Sequence, residues 1–190
     1  HHVGGRKGSR SFPILNKFEK DIINVLYDAD QECLDQVKQG NDSLDSKLFV
    51  LPYCLGEKCK KAILNINYDP YTSSLLHFNN EFKSFYMFYN NHDYILGETL
   101  KTMEKRKVDL VTLDYLFNDL GISAPKPDFL SIDIEGGEYN LLKGAKGIMK
   151  SSILAVYAEV AFLPFREGQK SFSELCDLLS KQGFIFVNFA

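Results

Sequence analysis

Continuous apolar runs alternate along this chain with stretches whose apolar residues recur at helical spacing. The runs Ile22–Tyr27, Leu48–Tyr53, Ala62–Tyr68, Val108–Thr112, Phe129–Ile134, Ile153–Val160 and Phe184–Phe189 read as strands. Most lack the polar alternation of a strand with one wet face, so they predict a parallel sheet covered by helices on both sides. Between them, Gln31–Gln39 reads as a helix that stops at Gly40. Asp114 is placed to cap a short helix over Tyr115–Leu120, which Gly121 ends. Leu141, Leu142, Ala145, Ile148 and Met149 share one helical face. Ser171 and Glu174 have the spacing of a capping box ahead of the stripe Phe172, Leu175, Cys176 and Leu179, and Gly183 closes that helix. The expected fold is α/β: a Rossmann-like sheet, mostly parallel, in a single domain over residues 1–190.

Two stretches break the alternation. Ala62–Phe78 reads as a hairpin-like insertion, and Glu81–Leu100 is dense in aromatics: Phe82, Phe85, Tyr86, Phe88, Tyr89 and Tyr94. Phe82, Phe85, Tyr86 and Tyr89 have helical spacing, which fits either one packed face or a cover over the strand tips. Residues 62–104 are accordingly expected to form an insertion or cover. Both ends read as cut. Val3-Gly4-Gly5 looks like the end of a strand preceded only by His1 and His2, which are either native or a tag remnant, and Phe184–Ala190 stops without an exit.

Composition narrows the picture. Of the 190 residues, 45% are hydrophobic, enough for one real core. A net charge of −3 supplies no basic field for nucleic acid, and Lys58, Lys60 and Lys61 read as a solvated turn. No apolar run is long enough to span a bilayer, and there is no secretory signal pattern. Cys33, Cys54, Cys59 and Cys176 contain no C-x-x-C pair; they read as reduced thiols of a cytoplasmic protein, with a Cys54–Cys59 bridge as the alternative. A small-molecule or glycan partner is expected, and the oligomeric state stays open.

Four constellations could do chemistry. Val3–Ser9, V-G-G-R-K-G-S, is a glycine-rich turn ahead of a short helical pattern at Ile14, Leu15 and Phe18; such a turn lets backbone approach a ligand. Tyr27-Asp28-Ala29-Asp30 closes the next strand, and an acid about twenty residues past a glycine loop is suited to ribose hydroxyls. Asp28 then serves the ligand while Asp30 caps the following helix. Asp128–Glu138, D-F-L-S-I-D-I-E-G-G-E, carries acids at the tip of a buried strand, which is costly unless something there uses them. Asp133 and Glu135 alternate with Ile132 and Ile134 and so face one side, while Glu138, in the first helical turn, reads as structural. Glu159 lies inside the apolar run A-V-Y-A-E-V-A-F and belongs to the same cleft or pairs with Arg166.

D-F-L-S-I-D-I-E-G-G-E-Y-N-L-L-K-G-A is similar to the signature D-F-[IL]-K-I-D-x-E-G-x-E-x-x-x-L-x-G-A, and the chain resembles the FkbM-type S-adenosylmethionine-dependent methyltransferases over nearly its whole length. Leu51–Glu57, Ser73–Leu75 and Val111–Asp114 also resemble family segments in the expected order, and L-Y-D-A-D falls where the family has F-E-P. The chain departs in carrying Ser131 for the usual Lys, His2 where an acid usually precedes the glycine loop, and a long aromatic stretch at Glu81–Leu100. The resemblance implies S-adenosylmethionine as cofactor and methyl transfer to a hydroxyl of a sugar or glycosylated natural product. Gly4, Gly5 and Gly8 would hold its methionine part, Asp28 with Ala29 the ribose, and Asp133 the transferring group. Glu135 and Glu159 are the base candidates, with His77 a weaker one. No metal is assigned; a hard divalent ion on Asp133, Glu135 and Glu159 is a minority alternative. Two rival classes share the glycine loop: a nicotinamide-dependent enzyme and a non-catalytic nucleotide-binding domain.

Overall fold

Eight strands form among the residues that the computed structural model describes, namely 1–4, 12–29, 34–35, 47–82 and 96–189. They are β1 (His2–Val3), β2 (Ile23–Tyr27), β3 (Lys47–Leu51), β4 (Cys54–Leu55), β5 (Lys60–Asn67), β6 (Thr102–Val111), β7 (Phe129–Ile132) and β8 (Ala155–Ala158). Five of them make one sheet in the order β3-β2-β1-β7-β8, every neighbouring pair parallel. This is the expected Rossmann-like α/β architecture. Val25, Leu130 and Ile132 are wholly buried, as residues of strands covered on both faces must be.

The helices are α1 (Leu96–Thr99), α2 (Leu113–Asn118), α3 (Glu138–Lys143), α4 (Lys146–Ser151) and α5 (Phe172–Ser180). The stripe Leu141, Leu142, Ala145, Ile148 and Met149 is buried in the main core, but two helices share it, with the break at Gly144-Ala145. The expected capping box opens α5, with Ser171 and Glu174 each bonded to the other's backbone N–H. The short helix after the glycine loop is a 3-10 helix, Pro13–Asp21. Of the expected Gln31–Gln39 helix, only Leu34 and Asp35 lie among the described residues, and both are helical. No helix among the described residues is long and apolar enough to cross a membrane.

Three expectations need correction. Val108–Thr112 is not a strand of the parallel sheet. Its residues 108–111 end the ten-residue β6, which pairs antiparallel with β5 and parallel with β4 in a separate three-stranded sheet. The earlier half of β6 is charged and largely exposed, so an apolar-run reading finds only its buried tail. Phe184–Phe189 joins no strand: Ile185 is 84% and Val187 80% exposed, while the rings of Phe186 and Phe189 pack on Phe172. Aromatic clustering, not a hydrogen-bonded ladder, holds that segment.

The third correction concerns Asp114. Thr112 caps α2 by accepting the Tyr115 N–H at 2.9 Å. Asp114 instead reaches across to α4, where its carboxylate accepts the N–H groups of Gly147 at 2.9 Å and Ile148 at 2.8 Å. The acid thus satisfies two donors of a helix remote in sequence and favours its positive end. Asp114→Ala is expected to lower stability by about 0.5–2 kcal/mol, the usual cost of losing an N-terminal cap. A urea melt checks it: the midpoint falls and the slope stays the same.

The expected hairpin-like insertion starts on β5. β5 takes β6 as its partner, and the chain then folds back through a single bridge between Asn65 and Ser74. Asp69 caps the 3-10 turn Pro70–Thr72 by accepting the Tyr71 N–H. Asn67 Nδ2 donates to the Thr72 carbonyl at 2.7 Å. These bonds fix a roof that lies over the end of the parallel sheet. Glu81 and Phe82 are described, whereas Phe85, Tyr86, Phe88, Tyr89 and Tyr94 lie outside the described residues.

Candidate active site

Strand register builds the site. Val3 pairs with Tyr27 and Ile132, Tyr27 with Leu51, and Ile132 with Ala158. These five are the last residues of parallel strands, so the residues that follow share one rim. Gly4, Asp28, Asp133 and Glu159 each sit one position past the ladder. Backbone bonds hold that row: Gly4 N–H to Tyr27 O at 3.0 Å, Asp28 to Leu51 at 3.3 Å, Asp133 to Val3 at 2.9 Å and Glu159 to Ile132 at 3.1 Å. The chain runs outward from β1 to β2 and β3 and later returns to the other side of β1 with β7 and β8. The switch point of the sheet is therefore between β1 and β7, where open α/β sheets receive ligands.

A cavity of about 100 Å³, open to solvent, lies at this point. Gly4, Asp28, Ala29, Asp133 and Glu135 all line it. Its apolar wall comes from Leu55 of β4 and from Leu64 and Ile66 of β5, with Tyr53 and Tyr71 adding ring surface. Gly5 and Gly8 lie outside the described residues, as does Asp30. His77 is exposed and lines a different cavity, away from the rim. Cys54 also lines the rim pocket; desolvation, with Asp28 nearby, pushes its thiol up to about 12, so it acts as a small apolar surface. Cys54, Cys59 and Cys176 are free thiols, and Cys33 lies outside the described residues.

Asp133 and Glu135 converge, though not by strand alternation. β7 ends at Ile132, and Glu135 then adopts φ 59°, a left-handed conformation that a non-glycine side chain enters only under constraint. Three contacts supply it. Ser74 Oγ donates to the Glu135 carbonyl at 2.7 Å. Glu138, 5% exposed, accepts the N–H groups of Ile134 at 3.0 Å and Gly136 at 3.2 Å, which is the structural role its position implied. Arg166 holds the Glu135 carboxylate at 2.5 Å. The sequence had offered Arg166 as a partner for Glu159; the ion pair is made with Glu135.

Oxygen atoms of Asp133, Glu135 and Glu159 lie within 4.8 Å of one another. Such clusters are common without an ion, and no metal is assigned. Burial, and for Glu135 and Glu159 the neighbouring acids as well, makes ionisation costly. Desolvation raises Asp133, and it raises Glu135 against the opposing pull of Arg166. Glu159 is moved furthest, to about 8, first by desolvation and then by the charges of Glu135, Asp133 and Glu138. Glu159 is exposed, so solvent screening relieves part of that penalty. The direction matters most: Glu159 becomes a group that takes up a proton near neutral pH, where a general base is effective.

The roof residues are what sequence reasoning missed; Arg166 it named, but as the partner of a different acid. Leu64, Ile66 and Tyr71 meet the rim only through the fold of β5 and its return, and no spacing along the chain announces that. The profile of the family described as "Methyltransferase FkbM domain" matches residues 7–186. No curated protein and no solved structure matches the chain.

Proposed function

The chain belongs to the FkbM methyltransferase family, and from that premise we propose that it is an S-adenosylmethionine-dependent O-methyltransferase acting on a hydroxyl of a sugar or glycosylated natural product. One observation carries this reading: the register of four parallel strands brings Gly4, Asp28 and Asp133 to one pocket at the switch point of the sheet. The chemistry of the lining fits the cofactor. A nucleoside needs apolar walls for its base, which Leu55, Leu64 and Ile66 provide, and an acceptor for its ribose hydroxyls, which is Asp28. A cationic sulfonium favours acids nearby, and Asp133 and Glu135 are there. The free thiols agree with a cytoplasmic setting.

When bound, S-adenosylmethionine supplies an electrophilic methyl group on sulfur. Asp133 and Glu135 present negative charge to that end of the pocket, and Asp28 fixes the nucleoside end, so the acceptor is met in one orientation. The apolar roof thins out water around the reacting end, which favours a step in which charge is dispersed. Arg166 occupies the Glu135 carboxylate, leaving Glu159 to accept the proton of the incoming hydroxyl.

Calorimetric titration with S-adenosylhomocysteine and, separately, with a nicotinamide dinucleotide tests the reading. Binding of the first alone supports it, and binding of the second alone overturns it. Labelled S-adenosylmethionine with a panel of glycosides then identifies the acceptor. Asp28→Ala is expected to weaken S-adenosylhomocysteine binding tenfold or more, since one charge-assisted hydrogen bond is worth about 1.5–3 kcal/mol. Unchanged affinity would remove Asp28 from the ribose.

A further inference from the structure

Arg166 does not line the pocket, yet it touches Glu135, which does, and Thr72, which stands between the lining residues Tyr71 and Ser73. It follows β8 in the chain and is 4% exposed. One guanidinium nitrogen donates to Glu135 Oε2 at 2.5 Å, on the rim, and to the Thr72 carbonyl at 2.8 Å, in the roof. Its own segment is woven into the strip behind the roof. Arg166 bridges Phe78, the Asn79 N–H donates to the Phe165 carbonyl at 2.8 Å, and the Glu167 N–H donates to the His77 carbonyl at 2.8 Å. Gln169 accepts the Arg166 N–H at 3.1 Å and holds the loop's shape. Rim, roof and back strip therefore meet at one cation.

Stability alone gives a weak reason for such a group. Desolvating a guanidinium and a carboxylate together often gains nothing over well-packed apolar residues. What an ion pair does give here is direction. Glu135 stands in a left-handed backbone conformation with its carbonyl tied to Ser74 and its carboxylate tied to Arg166, so the rim turn and the roof are fixed to each other. Loss of the cation would free both.

We propose that Arg166 is a positioning residue of the methyl-transfer site: it clamps the rim turn at Glu135 to the roof at Thr72, which sets the width of the cofactor pocket and keeps Glu135 a fixed anion rather than a proton acceptor. The inference rests on the reading of that pocket as the cofactor site. It also sets the charge balance of the cluster. Glu135 faces Arg166, Asp133 and Asp69; Glu159 faces Glu135, Asp133, Glu138 and Arg166. Arg166 is the cation in both sets, so its removal leaves like charges facing one another.

Affinity for S-adenosylhomocysteine, measured by calorimetry from pH 5 to 9, tests the clamp without knowledge of the acceptor. Absence of binding to the unaltered protein would sink the cofactor reading and is seen before any variant is made. Arg166→Met is expected to bind about tenfold more weakly or worse, and the pH at which binding falls off on the acid side should rise by about one. Arg166→Lys keeps the charge but loses the planar fork; it should restore the acid limb and recover only part of the affinity. Arg166→Met may be combined with Glu135→Gln so that no charge is left unpaired in the interior. That double variant should melt near the unaltered protein while still binding about tenfold more weakly, so the test survives if the single variant does not fold. Unaltered affinity in the double variant, or an acid limb that does not move in Arg166→Met, overturns the proposal.

Discussion

Glu159→Gln is expected to lower methyl transfer by about 10²–10⁴-fold, the usual contribution of a positioned proton acceptor, while leaving S-adenosylhomocysteine affinity within about twofold. The amide keeps the size of the side chain but cannot take the proton. In the unaltered protein, transfer should rise with pH and level off above about 8, because only ionised Glu159 is competent. The same shift makes a stability prediction of definite sign. The folded protein holds the Glu159 proton up to about 8, whereas the unfolded chain releases it near the ordinary carboxyl value of 4.5. The group's stabilising contribution is therefore complete below about 4.5 and is lost as pH rises through about 8. Glutamine carries no charge at any pH and escapes that loss. Glu159→Gln should melt above the unaltered protein at pH 9 and lose most of that advantage at pH 5. An equal difference at both values would show that burial, not ionisation, sets the effect, and Glu159 would then be a poor base.

Much of this was legible in the chain because strands and acids leave strong local marks. The run Phe129–Ile132 is apolar but for Ser131, so its burial on both faces could be read directly, and the abrupt change to Asp133 marks a strand tip. The capping box of α5 needs only Ser171 and Glu174 three residues apart, and the geometry follows from that spacing. Asp28 was reachable for a similar reason: a strand ends there, and the strand end is where the ladder stops.

What escaped depends on partners distant in sequence. Asp114 has the spacing to cap a helix over Tyr115–Leu120, but the helix starts at Leu113, so Thr112 holds the cap position and Asp114, inside the first turn, is free for Gly147 and Ile148. β6 hides because Glu104, Lys105, Arg106 and Lys107 make its first half charged and largely exposed; the antiparallel backbone ladder with β5 holds it in place instead. Phe184–Phe189 failed in the opposite way. Its apolar content is that of a strand, but a strand also needs a neighbour with free backbone groups, and composition cannot supply one. Glu135 shows the limit most clearly. Alternation predicted its direction correctly for the wrong reason, since the chain leaves the strand before reaching it and turns through a left-handed residue that Ser74 and Arg166 hold from other parts of the chain.

Gly4→Ala should be the most damaging single-methyl change at the rim. Gly4 has φ +83°, and a Cβ there would sit 2.0 Å from the Asp133 carbonyl oxygen and 2.6 Å from Ile134 Cγ2. Neither atom is free to retreat. Asp133 is bonded through its N–H to Val3, so moving its carbonyl means parting β1 from β7 at the centre of the sheet. Left-handed strain and overpacking each carry about 1–3 kcal/mol, giving a loss of about 2–6 kcal/mol together. Because Gly4 and Asp133 both line the pocket, S-adenosylhomocysteine binding should fail in whatever fraction still folds. Gly121 provides the control: its φ is +64°, but a Cβ there meets nothing within 4 Å, so Gly121→Ala carries the strain without the clash. Urea melts of the two variants separate the terms, with Gly4→Ala expected to lose at least twice as much. Equal losses would mean that β1 and β7 part at no cost, and a rim that loose could not keep Asp28 and Asp133 turned to one cofactor.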